Sequence, residues 1–233
     1  MTARRHPRSV LAVALVGVLL LLGACSGGGS EDDEDPTAAL DAAKVRLDET
    51  SGVRIELTTP GLPDGVSGVV SATGVGTRAP AFDGEITVAT SGITADVPVV
   101  SVGGEVYAKL PFTTSFDVID PAAYQAPDPA SFMDDTQGLS SLLAETSDVT
   151  VGDQVRDGSD VLTELTGTVP GAVVARIIPT ADPEATFEAA YTLTDDDELV
   201  EAVLTGPFYP DADPVTYTVR FAEYDVEQEI TAP

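Results

Sequence analysis

Residues 93–110 read Ile-Thr-Ala-Asp-Val-Pro-Val-Val-Ser-Val-Gly-Gly-Glu-Val-Tyr-Ala-Lys-Leu. Ile93, Ala95, Val97 and Val99 alternate with Thr94 and Asp96, and Val106, Ala108 and Leu110 alternate with Tyr107 and Lys109. A period of two with apolar residues on one side only is the pattern of antiparallel strands that have one dry face and one wet face. Gly103-Gly104 between the two runs supplies the turn of a hairpin.

The same period recurs in both directions from this hairpin. Upstream, Val53, Ile55 and Leu57 alternate with Arg54, Glu56 and Thr58, and Ile86 and Val88 alternate with Glu85 and Thr87. Downstream, Phe187, Ala189, Tyr191 and Leu193 share one face, followed by Val200, Ala202 and Leu204, then by Val215, Tyr217, Val219 and Phe221. Residues 149–168 predict two further strands around Asp157-Gly158, and Asp195-Asp196-Asp197-Glu198 reads as a turn between strands. Asp83-Gly84 reads as another turn. The small-residue stretch 66–76 is rich in Ser, Thr, Gly and Val, and 111–129, with four prolines, reads as a shaped loop.

Three segments have helical spacing. In 36–49, Ala39, Leu40, Ala43 and Leu47 form a stripe, with Asp35 as the cap and Pro36 in the first turn. Residues 131–145, with Leu139, Leu142 and Leu143, predict a short helix interrupted near Gly138. Residues 171–178 pair Val173 with Ile177 and Val174 with Ile178, and Pro179 ends that helix. The expected fold is α+β: one large curved antiparallel sheet with a few short helices on its concave face. Small aliphatic residues line that face and the helices are short. The pattern is compatible with an internal cavity and equally with an ordinary packed core.

The N-terminus reads as an export signal. Arg4, Arg5 and Arg8 precede an apolar run from Val10 to Leu22, and Gly23-Ala24 precede Cys25. The run is shorter than the roughly 20 residues of a membrane span. Leu22-Gly23-Ala24-Cys25 has the form of a bacterial lipobox, in which the cysteine thiol receives a diacylglycerol and becomes the first residue of the mature protein. An ordinary secretory cleavage site leaves unexplained why the chain's one cysteine falls there. The expected organisation is a signal at 1–24, the lipidated Cys25 with a flexible acidic tether at 25–35, and one folded domain at 36–233. That places the domain on the outer face of the cell membrane.

The chain carries 39 Asp+Glu against 11 Lys+Arg, a formal charge of −28, and the signal contains three of those basic residues and no acid. Such a charge argues against nucleic acid, whose binding needs cations to neutralise phosphates. His6, the only histidine, falls in the signal, and Cys25 is the only cysteine. The mature domain therefore has no imidazole and no free thiol, which excludes Cys/His zinc sites and His-dependent nucleophilic catalysis. A hydrolase using paired carboxylates stays open on composition alone. No cofactor or metal is expected, and nothing demands more than a monomer.

Certain stretches resemble a known family. The hairpin Val99–Leu110 with its Val106-Tyr107-Ala108-Lys109-Leu110 ending, then Ile119-Asp120-Pro121-Ala122, then Gln137-Gly138-Leu139-Ser140-Ser141-Leu142-Leu143, are similar in order and spacing to the LppX/LprA/LprF/LprG lipoproteins of mycobacteria and related actinobacteria. The likeness is closest to the LprG type and covers roughly residues 36–230. Additional residues at 124–133 depart from that pattern. The resemblance implies a half-barrel like that of the LolA/LolB lipid carriers, with a hydrophobic cavity that takes the acyl chains of triacylated glycolipids or triacylglycerols. It also implies partnership with a major-facilitator efflux transporter. Ile86, Val88, Ile93, Val97 and Val99 from the sheet are the expected cavity lining, with Leu139, Leu142, Leu143, Val173, Val174 and Ile177 from the helices. For each the competing reading is packed core. The leading expectation is a lipid carrier without enzymatic activity, and the second is a non-transporting adaptor or regulator of a membrane protein.

Overall fold

The computed structural model describes residues 35–233 except Ser91 and Ser159. The expected signal, Cys25 and most of the tether lie outside the described residues.

Helix α1 (Pro36–Glu49) leads into β1 (Gly52–Thr58), β2 (Gly68–Thr77), β3 (Ala81–Thr90), β4 (Ile93–Val102), β5 (Glu105–Ala108) and β6 (Asp117–Ile119). Two 3-10 turns, Pro121–Tyr124 and Pro129–Met133, precede α2 (Ser140–Ala144). Then come β7 (Ser147–Asp157), β8 (Asp160–Pro170), α3 (Gly171–Ile177), β9 (Thr186–Leu193), β10 (Leu199–Gly206) and β11 (Val215–Tyr224). All eleven strands form one sheet in the order β6-β5-β4-β3-β2-β1-β11-β10-β9-β8-β7. Each half is a meander, and the antiparallel pairing of β1 with β11 joins the halves, with Ile55 opposite Phe221 and Leu57 opposite Val219. The result is the expected α+β fold, a large open antiparallel sheet in half-barrel form with few helices.

Alternation decides which face is dry. Val53 and Ile55 of β1 are buried and Arg54 and Glu56 are exposed, and the register carries this parity across the sheet. On the dry side, α1 lays down Leu40, Ala43 and Leu47, all buried. Its start is as expected: the Asp35 side chain accepts from the Thr37 N–H at 3.0 Å and Pro36 opens the first turn. Gly103 and Gly104 turn the β4–β5 hairpin with φ of 65° and 80°, a left-handed pair that glycine adopts without steric cost.

Three expectations need correction. Asp83-Gly84 is not a turn but lies inside β3, opposite Val75 and Gly74. The chain reverses just before it, at Arg78–Pro80. Gly84 and Gly74 are glycines for another reason: a Cβ on either would run into the Phe82 ring, which lies across both. The helix expected over 131–145 is a 3-10 turn ending at Met133, followed by the separate α2. The break sits at Gly138, packed against the backbone of Phe132 and Asp134. Asp134 caps the intervening loop, accepting from Thr136 and Gln137 N–H at 2.9 and 2.8 Å. These bonds, with one from the Thr136 hydroxyl, hold its carboxyl below the usual range. Finally, the stretch 66–76 supplies most of β2, and the proline-rich loop contains β6.

Gly84→Ala should lower stability by about 1–3 kcal/mol, since the added carbon meets fixed backbone as well as a ring. Chemical denaturation with an unchanged m-value would record it.

Candidate functional site

The concave face carries two separate apolar clusters. The larger is built from β1, β8–β11 and the three helices, and it contains Leu142, Leu143, Val173, Val174 and Ile177, all buried, together with half-buried Leu139. The smaller lies on β3–β6: Val97, Val99, Val106 and Ala108 are buried, with Ile86, Val88, Leu110 and Ile119 half-buried around them. The eleven expected lining residues are thus divided. Ten fall in or against one cluster or the other. Ile93, at the start of β4, is 68 % exposed.

The helices serve one cluster only. α1 and α2 pack on each other, and α3 on β8 and β9. Arg46 fastens the C-terminal end of α1, donating to Glu198 at 2.6 Å and Asp225 at 3.0 Å while its guanidinium lies 4.7 Å from the centre of the Tyr224 ring. Lys44 adds a bond to the Asp135 carbonyl at 2.8 Å and an ion pair with Asp48. Buried tyrosines complete the enclosure. Tyr191 donates to the Thr146 hydroxyl, which itself donates to the Leu142 carbonyl, and burial pushes the phenol up to about 12. Tyr209 donates to Tyr217, and Tyr217 to the Val69 carbonyl, both at 2.8 Å, bridging β11 to β2.

Over β2–β4 the cover is the 3-10 turn Pro129–Met133. Asp128 accepts from buried Ser101, and Met133 lies on Gly76, where a Cβ would meet its Cγ at 2.7 Å. This cover sits at the Gly76–Ser101 end of the strands. At the other end, Ala72, Ile86, Val88 and Ala95 remain half-buried, and their registers place them side by side: Ala72 opposite Ile86, Ile86 opposite Val97, Val88 opposite Ala95. They form an aliphatic stripe, and Ile93, two residues before Ala95 at the start of β4, is exposed.

Two concavities flank this arrangement. One, of about 10 Å³, is lined by Leu47, Asp48, Phe132, Met133, Leu139, Ser140 and Phe221 and lies where α1, α2 and the 3-10 turn meet. Of these, only Leu139 is among the expected lining residues. The others come from α1, the 3-10 turn, α2 and β11, and no local pattern joins them. The second is a hollow of about 550 Å³ on the convex face, lined by Arg54, Glu56, Thr73, Asp83, Glu85 and Gln228 among others. Gln228 of the C-terminal strap reaches it through a 2.9 Å bond to Asp83. Among the described residues, no group of three His, Cys, Asp or Glu is placed to hold a metal, and no helix is long and apolar enough to cross a membrane.

The LppX_LprAFG lipoprotein family model matches residues 35–231. The lipoarabinomannan carrier protein LprG of Mycolicibacterium hassiacum is 27 % identical over 231 residues, 97 % of each chain. Among solved structures, LprF from Mycobacterium bovis aligns with a TM-score of 0.67 at 16 % identity, covering 85 % of this chain and 96 % of its own. LppX from Mycobacterium tuberculosis aligns at 0.61 and 15 %, covering 85 % and 100 %. These two show the same fold.

Arg46→Gln should lower the melting temperature, because both carboxylates and the aromatic face lose their cation while remaining partly solvated. The Arg46 guanidinium holds the Asp225 carboxyl below its ordinary value. The stabilisation is therefore present above the unfolded carboxylate pKa, about 3.9, and lost as pH falls through the lower folded value. Thermal melts between pH 7 and pH 3 should show the gap between wild type and variant narrowing at the acid end.

Proposed function

The chain belongs to the LppX_LprAFG lipoprotein family, and from that premise we propose that it binds acylated lipids against its concave face and carries them between the membrane and the outer envelope. The observation that carries this reading is the aliphatic stripe of Ala72, Ile86, Val88 and Ala95, left half-buried beside a core that the helices otherwise close. A soluble domain that exposes contiguous apolar surface marks a binding site there. Each methylene moved from bilayer to protein without meeting water avoids about 0.8 kcal/mol. A lipid with tens of methylenes therefore cannot cross an aqueous gap unaided at a useful rate. No covalent step is needed, so the activity is carriage rather than conversion.

Triacylated glycolipids and triacylglycerol-like lipids are the ligand class we propose. The name of the LprG relative, a lipoarabinomannan carrier, supports the glycolipid. Lipidation of Cys25 would hold the domain at the outer face of the cell membrane, and a major-facilitator efflux transporter is the proposed partner. The convex hollow with Glu56, Asp83 and Glu85 favours a second reading, in which that face docks a basic partner and the protein acts as an adaptor.

Val88→Trp separates the two. Val88 is half-buried, so an indole there should fill the stripe at little cost in stability, in contrast to overpacking a closed core, about 1–3 kcal/mol. Native mass spectrometry of protein purified from a lipid-rich actinobacterial host should show bound acylated lipid in the wild type and its loss in the variant, with the melting temperature retained. A wild type that is consistently empty would instead favour the adaptor.

A further inference from the structure

The small pocket between α1 and α2 contains a polar group without a partner. Ser140 is 3 % exposed, and among the described residues its hydroxyl is the one buried side-chain oxygen or nitrogen that makes no hydrogen bond. Its neighbour Ser141 is satisfied, donating to the Gly138 carbonyl at 2.7 Å. An orphan hydroxyl in an apolar interior destabilises the fold, and an alanine at that place would avoid the penalty. Ser140 lines the pocket together with Leu47, Phe132, Met133, Leu139 and Phe221. The other polar wall residue, Asp48, is engaged with Lys44.

We propose that this pocket is the seat of a lipid acyl ester, with the Ser140 hydroxyl donating to the ester carbonyl. The proposal rests on the lipid-carrier reading and names the part of the lipid that is recognised. The chemistry selects the group. The site offers one donor, apolar walls and a carboxylate at its edge. A neutral acceptor fits it. A free fatty acid would bring a second carboxylate against Asp48, and an ether lacks the strong carbonyl acceptor. At about 10 Å³ the pocket is too small for an ester as it stands, and seating one requires its most adaptable wall to move. Met133 has a flexible unbranched side chain and rests on Gly76, a residue with no side chain to obstruct its movement. Met133 and Phe132 belong to the 3-10 turn that packs on β2, β3 and β4. A chain lying on the stripe would thus meet this turn before reaching the three helices, which places the ester at the boundary between the two clusters.

The test compares 1,2-dioleoylglycerol with its dioleyl ether analogue, which has the same chains without carbonyls, and adds oleic acid against methyl oleate. Binding is measured to the full domain and to Ser140→Ala. In the wild type the ester should bind about five- to tenfold more tightly than the ether, the worth of one hydrogen bond, and methyl oleate more tightly than oleic acid. Ser140→Ala should bring the ester-to-ether ratio to about one while its melting temperature stays equal or rises, since an unsatisfied hydroxyl has been removed. A ratio unchanged in Ser140→Ala overturns the assignment, and so does a lowered melting temperature, which would give the hydroxyl a structural role. If the wild type binds diester and diether equally, the ester seat alone falls. If it binds neither, the carrier reading falls with it.

Discussion

Eleven antiparallel strands in one sheet produce a single long apolar face, and three short helices must keep it from water. That shortage of cover governs the rest of the molecule. The helices total 26 residues over the described chain, and they are concentrated over β1 and β8–β11. Where they lie, the interior closes: Leu40, Ala43, Val53, Val169 and Phe187 are fully buried. Where they do not lie, β2–β5 rely on a single 3-10 turn and on small residues.

The two halves are held by different physics. The covered half uses large side chains and buried hydrogen bonds. Phe187, Phe208 and Tyr217 stack edge to face with centroids 4.9 and 5.0 Å apart, and the Tyr217 and Tyr224 hydroxyls donate to the Val69 and Leu199 carbonyls. The uncovered half uses close approach. Gly74, Gly76 and Gly84 leave room for Phe82 and Met133 to lie against the strands, so that one ring and one thioether do the work of a helix. Weak cover of this kind can be displaced, whereas the aromatic cluster cannot be opened without exposing large apolar area.

Much of this was readable from the chain. Strict alternation identified β1, β3–β5 and β9–β11 because one-sided burial imposes a period of two on the residues themselves. Helix α1 was readable to its bounds because Asp35 and Pro36 state its start chemically. The segments that escaped are those whose constraint is not local. β2 is composed of Val, Gly, Ala, Ser and Thr, and its glycines answer to side chains elsewhere: Gly74 to Phe82 on the next strand, Gly76 to Met133 and Gly68 to Tyr209. Asp83-Gly84 reads as a turn because glycine in a loop and glycine under an aromatic ring look alike in one dimension. The pocket around Ser140 draws on α1, the 3-10 turn, α2 and β11, and nothing in the sequence of any one of them announces the others. Val75 is a related case: it lies on the convex face with Arg54, yet is 3 % exposed, on the face that the C-terminal strap reaches.

A half-buried apolar stripe is a hazard for any folded domain in water, and the remainder of the surface is arranged against it. The net charge of −28 sets copies apart. The edge strand β6 is three residues long, and β7, at the other edge, is broken by register shifts near Thr150 and Gln154, which blunts both edges as templates for pairing. These devices restrain self-association without covering the stripe. Covering it would have been simple in composition: one more amphipathic helix packed over β3 and β4 would close the second cluster as the first is closed. A ligand would then have to evict packed side chains, at about 2–5 kcal/mol for each large residue displaced. Leaving the stripe wet costs the free protein only about 25 cal/mol for each Å² exposed, and an acyl chain that settles there returns that cost on binding. Partial cover therefore suits the proposed reading, in which an apolar cargo is both accepted and released.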